Sequence, residues 1–225
     1  LGFHDGSTLD ARAMKFSIER MMRPDIGATL GAPAVWGQYL GGATVTVEDD
    51  HALTITTVEP CADLLDILVS GYALPPHAAD RPGFMDAPIG SGAYRVEAIA
   101  PRNQIRLSAN LDWWGGSVTN AEIVCRQQTD TTTRASALLA GDSDVTTRLG
   151  PDQVTVLYGN PSITFVRHID PTAIIYLLNA ARGPFKDPRV RRAINLAIDR
   201  QALIGTVLGG GGQALPGFIS SSHFG

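Results

Sequence analysis

The side chains in this chain that could do chemistry fall into a few short groupings and a scatter of lone histidines. Asp49, Asp50 and His51 stand in a row, and carboxylate and imidazole are what a divalent metal takes as ligands. Their adjacency argues against an ion, because neighbouring residues on a turn rarely converge on one point. The alternating runs Val45/Val47 and Leu53/Ile55 instead put the triplet at the tip of a hairpin. "GSG" at 90–92 could offer amides to a phosphate, yet it lacks the spacing and the following helix of a dinucleotide loop. Gly209–Gly212 has no Lys-Ser/Thr after it, so it reads as a turn. Ser220–Ser222 beside His223 supplies hydroxyl and base, but without the G-x-S-x-G elbow that exposes a nucleophile. His4, His51, His77, His168 and His223 stand singly, with no HExxH pair. Cys61 and Cys125 have neither CxxC nor Cys/His spacing and cannot build a zinc site alone; two buried, unpaired thiols are expected. These groupings make no catalytic constellation and call for no metal or other cofactor.

The elements that would carry these residues alternate in type. Asp10 caps a helix to about Met22, with Met14, Ile18 and Met21 on one side. Residues 27–42 are rich in Gly, Ala and Pro and read as a loop carrying Trp36 and Tyr39. After the first hairpin, Leu64, Leu65 and Leu68 suggest a short helix ending at Gly71. Tyr94–Ile99 and Gln104–Leu107 form a second hairpin turned at 101–103. Thr131–Ala140 is a helix stopped by Gly141, Asp144–Thr147 a short strand, and Pro151 opens another helix. Ile163–Val166 and Ala173–Leu178 read as strands. Asp187 and Pro188 then start a helix with the stripe Val190, Ala193, Ile194, Ala197 and Ile198, its arginines off that stripe, continued over Leu203–Leu208. Hairpins mixed with helix–strand units predict an α/β or α+β chain with a mixed sheet.

Composition narrows the function. With 225 residues, 44% of them hydrophobic, the chain can bury a core for one or two domains. A net charge of −4 supplies no basic surface for a general nucleic-acid binder. No apolar run approaches the roughly 20 residues of a membrane-spanning helix.

Six stretches in order say more than any one of them: "FHDGSTLDARAMKFSIERM" (3–21), "VEDDHALTITTVEP" (47–60), "PIGSGAYRVEAI" (88–99), "LSANLDWWGG" (107–116), "ASALLAGDSDV" (135–145) and "IIYLLNAARGPFKDPRVRRAINLAIDRQALI" (174–204). In this order and spacing the chain resembles the extracytoplasmic solute-binding proteins of ABC importers, family 5, which include dipeptide-, oligopeptide- and nickel-binding proteins. It departs from that pattern at Arg12 and Ala13, where acidic residues often open the first helix, and at Cys61, where an aromatic is common.

The resemblance implies an α/β (α+β) fold of periplasmic-binding-protein type II lobes, and an internal portion of a longer protein, cut at both ends. It implies residues 1–89 as the smaller subdomain of lobe I, 90–148 as part of its main sheet, and 149–225 as the start of lobe II. It implies no catalysis but capture of peptides outside the cytoplasm, in a lipid-anchored protein, and delivery to a membrane permease; no nucleic acid is a partner. Nickel-chelate, haem, sugar or opine are alternative ligands within the family, and a peptide hydrolase is the alternative outside it. The crossing between lobes is expected just after "GDSDV", with Thr146, Thr147 and Arg148 at the hinge and beside the cleft. Thr147 and Asn179, and the aromatic edges of Tyr72 and Tyr176, are expected to line the ligand. The helix after Asp187 is expected to be scaffold, its stripe on the sheet and its arginines in water.

Overall fold

The computed structural model describes residues 1–23, 25, 32–167 and 173–217, and the chain divides into two units, Leu1–Gln127 and Gln128–Gly225. Histidines 168 and 223 and the serines at 220–222 lie outside the described residues.

The first unit is built on helix α1 (Ala11–Met22). Asp10 caps it as the sequence predicts, its carboxylate accepting the Ala13 N–H at 3.0 Å. The hairpin tip closes the same helix end: Ala11 N–H donates to the Asp50 carbonyl, and Arg12 Nη1 sits 2.7 Å from Asp50 Oδ1. The acidic triplet is therefore a turn that helps to close a helix end.

Residues 32–40 correct the expected loop. Ala32–Leu40 form helix α2, while 26–31 lie outside the described residues. Trp36 and Leu40, one turn apart, are each about 1% exposed. Burying that pair outweighs the weak helix preference of a Gly- and Pro-bearing stretch. They pack with Ile18 of α1, Val45 of β1 (Thr44–Val47) and Ile67 of α3 (Leu64–Val69). β2 (Leu53–Thr56) pairs antiparallel with β1, Val45 opposite Ile55. A second antiparallel sheet follows, in the order β3 (Tyr94–Ala100), β4 (Gln104–Ala109), β5 (Glu122–Arg126). Arg102, at φ 60°, makes the predicted β3–β4 turn. Helices and strands mix as expected, and the ladders among the described residues are all antiparallel.

In the second unit, α4 (Thr131–Ala140) is capped by Asp130 and ends at Gly141, whose φ of 77° suits a residue without Cβ. Helix α5 (Pro151–Leu157) buries Leu157 completely. Three expected strands do not form: 144–147, 163–166 and 173–178 pair with nothing among the described residues. Their β-branched and apolar residues favour extension, but a strand needs a ladder partner that local sequence does not specify. Helix α6 (Pro188–Ala197) starts at Asp187 as predicted, then stops. Asp199 caps a separate α7 (Arg200–Val207) instead of a continuous helix. Nor is α6 a clean two-faced scaffold. Val190, Ile194 and Ile198 are only half-buried, and Arg191 turns back to the carbonyls of Phe185 and Lys186. Both cysteines are free, as expected, but Cys61 is half-buried and Cys125 exposed, against the expected burial.

Candidate ligand-binding site

The six residues expected to line a ligand are split between the units. Tyr72 belongs to the first; Thr146, Thr147, Arg148, Tyr176 and Asn179 belong to the second.

Tyr72 is 78% exposed, on a segment (71–80) without helix or strand. That segment is nevertheless tied down along its length. Trp36 Nε1 donates to Ser70 Oγ at 2.8 Å, and Gly71 lies so close to the same indole that a Cβ there would come within 2.5 Å of Trp36 Cζ2. Two residues beyond Tyr72, the Leu74 N–H donates to Ser17 Oγ at 2.9 Å. Ser17 is buried in α1 and its hydroxyl donates in turn to the Ala13 carbonyl at 2.8 Å. His77 Nε2 donates to Asp5 Oδ2 at 2.9 Å. Arg20, one turn on from Ser17, and Arg23, the C-cap of α1, both reach Asp80, at 2.8 and 2.6 Å. The Asp80 carboxyl is held below its usual range by these two guanidinium groups. Partial burial alone would raise the Asp5 carboxyl; hydrogen bonds from Ser7 and His77 outweigh it and hold it low. Pro75, Ala78 and Ala79 are buried between the ties, so Tyr72 projects from a fixed shelf.

A hollow of about 430 Å³ opens in the same unit, lined by residues 2–6, Arg95, Asn110, Asp112 and Trp114. Asn110 is 5% exposed; its Oδ1 accepts from Arg95 Nε and Nη2, and its Nδ2 donates to the Gly92 carbonyl. Arg95 Nη1 reaches the His4 carbonyl, His4 Nε2 donates to Gly92 O at 2.9 Å, and Trp114 Nε1 donates to Ser91 O. "GSG" is thus a turn whose carbonyls, rather than its amides, hold the surrounding side chains. Sequence reading found neither Arg95 nor Asn110 because each is polar inside an ordinary-looking strand end. A buried amide facing an arginine is visible only once the strands are paired.

In the second unit, Arg148 has φ 56°, a left-handed backbone unusual for a residue with a Cβ. Its carbonyl accepts from Arg134 Nη2 at 3.0 Å, while Arg134 Nη1 donates to the carbonyls of Gln128 and Thr129 at 2.6 and 3.1 Å. One guanidinium therefore joins the start of α4 to the stretch carrying Thr146–Arg148. Tyr176 is 80% exposed within a stretch without helix or strand, beside Ile174 and Leu177, which are exposed as well. The Asn179 carboxamide accepts the Ala181 N–H at 3.0 Å, so it shapes its own turn. Among the described residues no group of three His, Cys, Asp or Glu side chains converges to hold a metal ion.

The sequence model of the bacterial extracellular solute-binding proteins, family 5 middle, matches residues 1–225. The chain belongs to this family. The glutathione-binding protein GsiB of Salmonella paratyphi A is 27% identical over 228 residues, covering 98% of this chain and 43% of that protein. The family 5 chain thus spans less than half the length of the curated relatives it matches. Its fold is also that of NikZ from Campylobacter jejuni, solved with Ni(L-His): TM-score 0.77, 21% identity, covering 93% of this chain and 42% of that one. A dipeptide-binding protein from Pseudoalteromonas sp. SM9913, solved with Met-Leu, gives TM-score 0.74 at 19% identity, covering 93% of this chain and 46% of that one. The family is one of solute-binding proteins, not of enzymes.

Proposed function

We propose that the chain forms part of the substrate-binding component of an ABC importer, which captures peptides outside the cytoplasm and hands them to a membrane permease. The observation that carries this is the family match over the whole of 1–225. The glutathione-binding relative supports a short peptide as ligand, glutathione being a peptide. Residues 1–89, 90–148 and 149–225 are the smaller subdomain of the first lobe, part of its main sheet, and the beginning of the second lobe. Tyr72, Thr146, Thr147, Arg148, Tyr176 and Asn179 line the ligand, with the hinge at 146–148. Lobes of this kind close because the ligand touches both of them only in the closed state. Catalysis is no part of this function.

A thermal-shift series on the whole encoded protein tests the reading, since a ligand that binds only the native state raises its melting temperature by mass action. Reduced glutathione and Met-Leu should raise it in a saturable way, and nickel–histidine, haem, a sugar and an opine should not. A shift with one of those four alone would keep the importer role and replace the ligand. Turnover of the peptides in the same samples would replace the role itself.

A further inference from the structure

The shelf at 71–80 has an unusual construction. A surface segment without regular structure is ordinarily free to move, and fixing each residue costs about 1–2 kcal/mol of backbone entropy. Here side chains from α1, α2 and the N-terminal segment hold it, and the residue between two of the closest ties is a tyrosine left 78% in water. Ser17 is the centre of this arrangement. Serine in a helix interior tends to bond back to the preceding turn and gives the helix little. At position 17 the hydroxyl does so, to Ala13, and uses its remaining capacity to accept the Leu74 N–H in the protein interior. Gly71 completes the fixation from the other side, because the Trp36 indole occupies the space a Cβ would need.

We propose that Ser17 is a positioning residue for recognition: by anchoring Leu74 it presets the Tyr72 ring as a wall of the peptide site. This rests on the reading of Tyr72 as a ligand-lining residue given above. A ring carried on backbone that is already fixed binds with a smaller ordering penalty, and tyrosine offers a large contact area with a polar tip. Ser17 itself never touches the ligand.

The test is a double-mutant cycle on the whole encoded protein, titrated calorimetrically with reduced glutathione and with Met-Leu. Tyr72→Ala should weaken the tighter-binding probe about tenfold, a ring contact's worth. Ser17→Ala should weaken it about three- to tenfold, the range for losing one hydrogen bond. The double variant should bind no worse than Tyr72→Ala, since without the ring there is nothing left to position. Ser17→Cys, similar in shape but a poor acceptor, serves if Ser17→Ala does not fold. Hydrogen exchange on the unliganded protein should show faster exchange at Leu74 in the Ser17 variant, with the β3–β4 ladder unchanged. Unaltered exchange at Leu74 would overturn the inference. So would full affinity in Ser17→Ala beside weakened Tyr72→Ala, which leaves the role of Tyr72 standing. Losses that simply add would mean that Ser17 acts independently of the ring, and would also overturn it. Full affinity in both single variants removes Tyr72 from the site. Binding of neither probe to the wild type overturns the peptide reading and this inference with it.

Discussion

Single carboxylates cap several helices in this chain, and they make its stability depend on acid. Asp10 is held below its usual range by the Ala13 N–H, Asp130 by the Thr133 N–H, and Asp187 by the Arg189 guanidinium. A carboxyl whose folded pKa lies below its unfolded value of 3.8 stabilises the fold above that value. The contribution is lost as pH falls through the folded pKa. Urea midpoints should therefore decline steadily from about pH 5 toward pH 2. Asp130→Asn, which keeps a capping oxygen but no charge, should flatten that decline; an unchanged slope would remove Asp130 from the account. The caps at Asp10 and Asp187 were legible in the sequence because a cap acts within three residues of itself. Ser17 and Asn110 were not. Their partners lie at Leu74, 57 residues away, and at Arg95 across the β3–β4 pair.

Elements with a strong local pattern came out of the sequence nearly intact: α1, the two hairpins, α4, α5 and the start of α6. Helix α2 did not, because glycine and proline argue for a loop while the signal for a helix is only the pair Trp36 and Leu40 at i, i+4. The three expected strands failed for the opposite reason, a good propensity without a partner strand. One of them carries the proposed hinge. Arg134 holds the carbonyl of Arg148, and Arg148 has the left-handed backbone, so the conformation at 146–148 is set from outside the stretch. Thr147→Pro fixes φ and removes a donor there. In the whole encoded protein it should change peptide affinity or closure rate, read by stopped-flow fluorescence, while the urea midpoint moves little. Unchanged affinity and closure would place the hinge elsewhere.

At the scale of the molecule, the family was legible only as a resemblance carried by six stretches in register, because each stretch alone fits many folds. The cysteines show the limit of reading burial from flanking residues. Cys125 sits on β5 and its side chain is exposed. Both thiols are free, so native alkylation without reductant should label Cys125 quickly and Cys61 more slowly; mass spectrometry finding a Cys61–Cys125 linked peptide would contradict this. The tied shelf has a last consequence. Its tethers to Ser17, Asp5 and Arg20 come from 57, 72 and 60 residues away in the chain. A synthetic decapeptide copied from 71–80 would carry the sequence of the shelf and none of its shape. To an antibody, the folded surface around Tyr72 is a discontinuous epitope.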